Sequence, residues 1–356
     1  MNRSYSMSKK RDHRLVLALP SKGELHEQTL DFLKACGMPV QLGGNHREYS
    51  GRLRGVPQIE IIFLRADEIP MRVERGGAHL GITGEDLFRE YSEDSQVSHL
   101  LVKELGYGHA RLVTAVPRSW IDTNRVEDLE EVALAYRQRY GRSLRVATKY
   151  SRLTRAFFAE HSIVDYVIVR SLGATEGAPA SGVADIIVDI TSTGTTLAQN
   201  HLKPLSGGTL LASQACLISS IDGEWTEANL AALQQVLELM EGHLRALSTF
   251  ALRFHGSPST IGRLENELRN AFNCEILTSR ALSRSAESLG RNEADTPCEI
   301  ALHCPADNLY PVMRCLRNAG CSGITATRVD YIFGQSSSAF ERFCHLRRHI
   351  EHLESV

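Results

Sequence analysis

ADIIVDITSTGTTL, residues 184–197, decides the architecture. An apolar strand runs to Asp189, a loop of Thr, Ser and Gly follows, and a helix opens near Thr195. A buried strand that enters a helix through a tight polar loop is the repeating step of α/β folds. The first N–H groups of such a helix have no intrahelical acceptor and form a ready phosphate site. Gly194 permits close backbone approach and a positive φ. The hydroxyls of Thr191, Ser192, Thr193, Thr195 and Thr196 add neutral donors, and Asp189 at the strand end can reach ribose hydroxyls or a magnesium shell. The alternative is an ordinary capped helix start without a ligand, since Ser and Thr are common caps.

Outward from this loop, the alternation repeats. RLVLALP (14–20), IEIIFL (59–64), HLGIT (79–83), LRVATKY (144–150) and DYVIVRS (165–171) read as buried strands. Between them, ELHEQTLDFLKACG (24–37) and RLTRAFFAEH (152–161) have helical spacing. SWIDTNRVEDLEEVALAYRQRYGR (119–142) reads as a solvated helix with Val126, Leu129, Val132 and Leu134 inward. Glycines open the longer extended run LGYGHARLVTAVP (105–117), which can carry the chain into a second lobe, and LLASQACLISS (210–220) can return it. Two α/β lobes joined by crossing strands make a cleft, where small ligands usually sit. The expected boundaries are 14–110 with 206–221 for the first lobe and 111–205 for the second.

Residues 222–249 read as a connector helix, with Leu230, Leu233, Leu237, Met240, Leu244 and Leu247 at spacings of three and four. Beyond it, 250–277 and 298–333 share an order of strand, turn, helix and strand, each with a His after the first strand and a Pro in the turn. Two such units in series predict a ferredoxin-like βαββαβ domain over 250–333. The polar insert 283–296 reads as a mobile loop, and 334–356 as a basic helical tail.

Composition narrows the functional classes. With 42% hydrophobic residues the chain can bury a real core, and a net charge of −2 provides no global field toward nucleic acid or membrane. No helix-turn-helix or basic stripe is apparent. The first 13 residues are polar and basic without a following apolar stretch, so they read as a disordered arm rather than a signal peptide. Eight cysteines, none in a CxxC pair, fit buried thiols in a reducing cytosol. No histidine pair stands at zinc-ligand spacing.

The D-x-x-x-T-G-x-T pattern at 189–196 resembles the 5-phosphoribose loop of phosphoribosyltransferases, and GATEGAPASGVADIIVDITSTGTTLAQNHLKPL (173–205) is similar to the signature region of ATP phosphoribosyltransferases. LALPSKGELHE (17–27), FLRADEIPMRVERGGAHLGITGEDL (63–87), LGYGHARLVTAVP and LRVATKYSRLTRAFF (144–158) resemble further motifs of that family, in its order. The likeness runs over 14–220 and more faintly over 250–333, where long-form members carry a histidine-binding regulatory domain. Several motifs in register specify far more than any one of them.

The resemblance implies a two-lobed, periplasmic-binding-protein-like α/β core that transfers phosphoribose from phosphoribosyl pyrophosphate to N1 of ATP. It also implies Mg2+, inhibition by histidine, and a cytoplasmic homo-oligomer between dimer and hexamer. Lys22 would meet polyphosphate oxygens, against a plain surface lysine. Arg65 would pair with a phosphate, against an ion pair with Asp67 or Glu68. Glu176 resembles the family's cleft glutamate and would hold ribose hydroxyls or magnesium, against a helix-start carboxylate. Lys149 and Tyr150 are expected in the cleft. Two positions depart from the family: Glu24 replaces the usual arginine, with Arg52 or Arg54 as possible substitutes, and His79 replaces an aspartate. Two rival readings are an anion-binding protein without catalysis and an inactive paralogue that senses histidine; the C-terminal domain could also serve oligomerisation alone.

Overall fold

A computed structural model describes residues 14–42, 50–92, 97–171, 173–281 and 298–354. The chain forms two units, Met1–Leu233 with Ser338–Val356, and Gln234–Ser337. The arm 1–13 and the insert 283–296 lie outside the described residues.

In the first unit the chain runs through β1 (Leu15–Pro20), α1 (Glu24–Ala35), β2 (Val40–Leu42), β3 (Ser50–Leu53), β4 (Val56–Leu64), α2 (Ile69–Glu74), β5 (Leu80–Gly84), α3 (Glu85–Tyr91) and β6 (Ser98–Val102). It continues with β7 (Ala110–Pro117), α4 (Asp128–Tyr140), β8 (Leu144–Thr148), α5 (Ser151–Glu160), β9 (Tyr166–Arg170), β10 (Ile186–Thr191), α6 (Thr195–Gln199), β11 (Leu202–Ser213) and β12 (Ala215–Ser220). Two sheets result, ordered β2-β3-β4-β1-β5-β12-β6 and β11-β7-β10-β8-β9. The central strands β4, β1 and β5 are parallel, as are β10, β8 and β9. Parallel strands are covered on both faces, so β1 is an unbroken apolar run with Leu15, Leu17, Ala18 and Leu19 fully buried.

The lobes exchange strands twice, and β7 and β12 carry the crossings. The second crossing falls at Gln214, not at 206: β11 pairs with β7 in one sheet, and β12 pairs with β5 and β6 in the other. Backbone bonds join the crossings, from Leu105 N–H to Ala215 C=O (3.1 Å) and from Ala215 N–H to Tyr107 C=O (2.9 Å). Helix α4 corrects a second expectation. Val126, Leu129 and Ala133 are buried with Tyr136 packed beside them, whereas Leu134 is 53% exposed. Position 134 lies five residues from 129, which turns it to the far side of a 3.6-residue helix.

At the starting edge of the second sheet, Asp185 accepts from both nitrogens of Arg142 (2.6 and 2.9 Å) and from Arg145 (3.3 and 3.1 Å). Burial pushes the Asp185 carboxyl up, but these hydrogen bonds outweigh it and hold it at about 2. A folded-state value below the unfolded one stabilises above the unfolded pKa and is lost as pH falls through the folded value. The shift corresponds to about 2 kcal/mol. Asp185→Asn is therefore expected to melt below wild type at pH 7, with the gap closing between about pH 5 and pH 2. A gap that stays constant over that range would contradict the assignment.

Helix α7 (Glu227–Leu247) carries the chain between the units. It starts at Glu227 because the Thr226 hydroxyl accepts the Asn229 N–H (3.2 Å), an N-cap that sets the first turn. The second unit continues with β13 (Thr249–Gly256), α8 (Pro258–Asn270), β14 (Glu275–Ala281), β15 (Cys298–Pro305), α9 (Leu309–Asn318) and β16 (Ser322–Arg328). Its sheet is antiparallel in the order β14-β15-β13-β16, the expected ferredoxin-like arrangement. Alternate residues of β15 are buried, and Ile300, Leu302 and Cys304 join Phe254, Leu268 and Leu316 in its core.

The tail is α10 (Ser338–Glu354), and it belongs to the first unit. Phe343 is fully buried and meets Trp225 edge-on at 4.7 Å, and Arg342 donates to Leu101 C=O (3.2 Å). All eight cysteines are free thiols, and six of them are buried.

Candidate active site

In the second sheet the chain passes from β8 to its neighbour β9, then returns to β10 on the other side of β8. Strand order reverses between β8 and β10, and the crevice beyond their carboxyl ends is where open α/β sheets bind ligands. Parallel register sets Ile187 opposite Ala147, so Asp189 and Lys149 follow at adjacent strand ends. Burial raises the Asp189 carboxyl above its usual range, opposed by the Ile190 amide and the Lys149 charge. Glu176 lies in a 3-10 turn (Thr175–Gly177) close enough to act on Asp189 through its charge. Asp189, Lys149 and Glu176 thus meet at one edge.

The loop after β10 has the geometry of an anion cradle. Gly194 takes φ 80° and opens α6 as its N-cap, where it offers no capping side chain of its own. A Cβ at Gly194 would meet no atom within 4 Å, so the space over the loop is open. Part of the expected donor set is already engaged. Gly194 N–H donates to Thr191 Oγ1 (2.9 Å), Thr195 N–H reaches Thr193 Oγ1 at 3.4 Å, and the Thr193 and Thr195 hydroxyls lie 2.8 Å apart. Ser192 and Thr196 are exposed at the same loop.

The first lobe contributes the ends of β1 and β4. Lys22 is exposed beside Gly23, which takes φ 78° at the start of α1. Glu24 turns along α1 and accepts from Gln28 (2.9 Å). Neither Arg52 nor Arg54 can replace the missing arginine. Arg52 stands opposite Glu60 and Arg54 follows at the end of β3, both away from the carboxyl end of β4. Arg65 adopts its structural alternative, with Nε and Nη2 on Asp67 (3.1 and 2.9 Å). Burial pushes Asp67 up, yet Arg65 holds its carboxyl below the ordinary range, with help from Lys149. Lys149 therefore acts on a carboxylate of each lobe.

Tyr150 is not a cleft side chain. It is fully buried, and its hydroxyl donates to Asp86 Oδ2 (2.6 Å). Burial, then the Asp86 charge, pushes its phenol up. Asp86 also accepts from Ser213 Oγ (2.7 Å), so one carboxylate on α3 ties the second lobe and its return strand together. Four residues on, Glu90 accepts from the Arg152 and Leu153 amides (2.9 to 3.1 Å) and caps α5 across the lobes. The reading from sequence missed both acids. Their one visible signal is the i, i+4 spacing in GEDLFREY, which puts them on one helix face.

His79 precedes β5 at the end remote from the crevice. Its Nδ1 accepts from Val16 N–H (3.0 Å), its ring meets Trp225 edge-on, and burial lowers its pKa. The departure at this position serves packing between β1 and the segment before α7, and leaves the crevice untouched.

Comparison with known proteins adds independent findings. Residues 65–242 match the family described as ATP phosphoribosyltransferase. The chain is 39% identical over 330 residues to the ATP phosphoribosyltransferase of Bradyrhizobium sp. (strain ORS 278), covering 92% of this chain and 97% of that one. It is 40% identical over 329 residues to that of Caulobacter vibrioides (strain NA1000 / CB15N), covering 92% and 96%. Among solved structures, the ATP phosphoribosyl transferase (HisG:HisZ) complex from Thermotoga maritima aligns at a TM-score of 0.48 with 24% identity, over 64% of this chain and 98% of that one.

Proposed function

This chain belongs to the ATP phosphoribosyltransferase family, and on that premise we propose how its residues divide the reaction. The enzyme joins the ribose of phosphoribosyl pyrophosphate to N1 of ATP, releases pyrophosphate, and so opens histidine biosynthesis. The observation that carries the assignment of the site is the open loop at Gly194. It stands where strand order reverses, with open space above it and Asp189 and Lys149 alongside.

In this reading the residues 191–196 hold the 5-phosphate, and Asp189 and Glu176 orient the ribose hydroxyls. Displacement at C1 passes through an oxocarbenium-like state, with negative charge gathering on the departing pyrophosphate. Such a reaction needs fixed in-line placement and charge stabilisation more than a strong base. Lys149 supplies a fixed cation beside the ribose, and Lys22 supplies another from the first lobe. Arg65 reaches a phosphate only by releasing Asp67. Enzymes of this family work with a divalent metal, and Mg2+ on the pyrophosphate would neutralise part of that charge. Asp189 and Glu176 offer the hard oxygens it prefers. Among the described residues no group of three or more His, Cys, Asp or Glu could hold an ion.

The ferredoxin-like domain would bind histidine and inhibit, a coupling between two distinct sites. The enzyme would work as a cytoplasmic homo-oligomer, and no helix among the described residues is long and apolar enough to cross a membrane. Nothing observed favours an inactive paralogue, since Glu24 is engaged along its own helix and His79 lies away from the crevice.

The purified chain with Mg2+, ATP and phosphoribosyl pyrophosphate should release pyrophosphate and form phosphoribosyl-ATP, with histidine at millimolar levels reducing the rate. Absence of both products sinks the catalytic assignment; turnover indifferent to histidine removes only the regulatory one. The full chain is required for this test. Truncation after Ile221 would strip α10 from the first unit and with it the bond from Arg342 to Leu101 C=O.

A further inference from the structure

The chain leaves the first unit once, within α7 at Gln234, and re-enters it once, at Ser338. The ferredoxin-like domain is therefore held at both ends. Its exit is pinned to its entry. Ile332 N–H donates to Gly242 C=O of α7 (2.9 Å), and Arg245 of the same helix donates to Ile332 C=O (3.4 Å). Phe333 lies against Gly242, where a Cβ would come within 3.0 Å of its ring, so the bare backbone of α7 admits it. Only residues 334–337 then separate Phe333 from α10. The steps from Phe333 to Ser338 reach about 18 Å at full extension, which makes a short tether.

The tether ends on a docked helix. α10 lies along β6, an edge strand of the seven-stranded sheet, and Arg342 donates to Leu101 C=O on that strand (3.2 Å). Ala339 and Phe343 are fully buried. From Phe343 the packing runs inward, to Trp225 at 4.7 Å and from Trp225 to His79 at 5.2 Å. His79 in turn joins three strands. Its N–H donates to Val16 C=O (3.0 Å) and its Nδ1 accepts from Val16 N–H (3.0 Å), both on β1. Its C=O accepts from Ser220 N–H on β12 (2.9 Å), and the next residue opens β5. β1 ends just before Lys22, and β5 leads directly into α3 with Asp86 and Glu90. A close-packed interior transmits displacement rather than absorbing it.

We propose that α10 is a strap that couples the ferredoxin-like domain to the first lobe. A change of state in that domain shifts its exit, the short tether passes the shift to α10, and Phe343, Trp225 and His79 carry it to β1 and β5. The proposal rests on reading the domain as a histidine-binding regulator. A helix that only covered the edge of the sheet would do so equally well at the end of a long linker. A coupling element differs, because the two sites must be joined by packed parts that respond together.

The test lengthens the tether in the full chain and leaves the docking contacts of α10 in place. About eight Gly and Ser residues are inserted between Gln335 and Ser336, which are both exposed. Flexible insertions cost little stability, so unfolding temperature, and kcat and KM without histidine, should match wild type. The histidine concentration for half inhibition should rise about fivefold or more. Trp225 gives a direct readout in a Trp120→Phe background, because the chain has two tryptophans. Histidine should shift its emission in that parent and much less in the insertion variant. Phe343→Leu, which keeps an apolar side chain but removes the ring against Trp225, should blunt both responses with the tether unchanged. Inhibition that survives the insertion, or Trp225 emission that histidine leaves unmoved in the parent, overturns the strap alone. Histidine that neither binds nor inhibits the wild type overturns the regulatory reading and the strap with it.

Discussion

Thr193→Ala combined with Gly194→Val is expected to lower kcat/KM for phosphoribosyl pyrophosphate by about a thousandfold, with the protein still folded. Two losses add up. Removing the Thr193 hydroxyl deletes one donor to a charged group, about 1.5–3 kcal/mol. Valine at position 194 must occupy φ 80°, a region that β-branched residues avoid, so the loop re-forms with its amides displaced. A second lost hydrogen bond of similar size brings the total to about 3–6 kcal/mol, or roughly a hundredfold to ten-thousandfold in rate. The damage stays local because a side chain at 194 enters open space rather than the core. Steady-state kinetics in both substrates and thermal melting measure the two halves of this prediction. Activity within threefold of wild type would mean that the 5-phosphate docks elsewhere.

That loop was readable from sequence because every part of it is local. The strand, the hydroxyls, the glycine and the helix start lie within 14 residues, and each follows from its neighbours. The ferredoxin-like unit was readable for a similar reason, since two consecutive strand–helix–strand repeats determine its sheet order. Arg65 shows where local reading stops. Its two candidate partners were visible two and three residues on, but whether the fork faces the crevice or Asp67 depends on how the turn after β4 bends. Tyr150 shows a stronger limit. Its aromatic ring follows a strand that ends at the crevice, yet its hydroxyl turns toward Asp86, 64 residues earlier in the chain. The crossing at Gln214 was misplaced because LLASQACLISS is extended on both sides of it, with no Gly or Pro to mark the change of sheet.

Asp86→Ala is expected to lower both stability and turnover, because the carboxylate serves two lobes at once. Asp86 is 3% exposed and accepts from Tyr150 and Ser213 at 2.6 and 2.7 Å. Alanine leaves both buried hydroxyls without an acceptor, about 1–3 kcal/mol for each. A total near 4 kcal/mol corresponds to a fall in Tm of roughly 8–16 °C for a domain of this size. Tyr150→Phe removes one donor and leaves Asp86 its bond to Ser213, so its cost should be smaller, about 1 kcal/mol. The order of the two variants already tests the geometry; their combination tests the coupling. Once Tyr150→Phe has removed the hydroxyl, deleting Asp86 strands one group rather than two, so the double variant should lose less than the sum of the singles. Turnover should fall in parallel, because Lys149 is the residue before Tyr150 and takes its place beside Asp189 only while the tyrosine is held. A role confined to packing would lower Tm and leave kcat intact at temperatures where the variant is folded. Strictly additive losses would show that the hydroxyl and the carboxylate do not depend on each other, and Lys149 would then owe its position to the β8 strand alone.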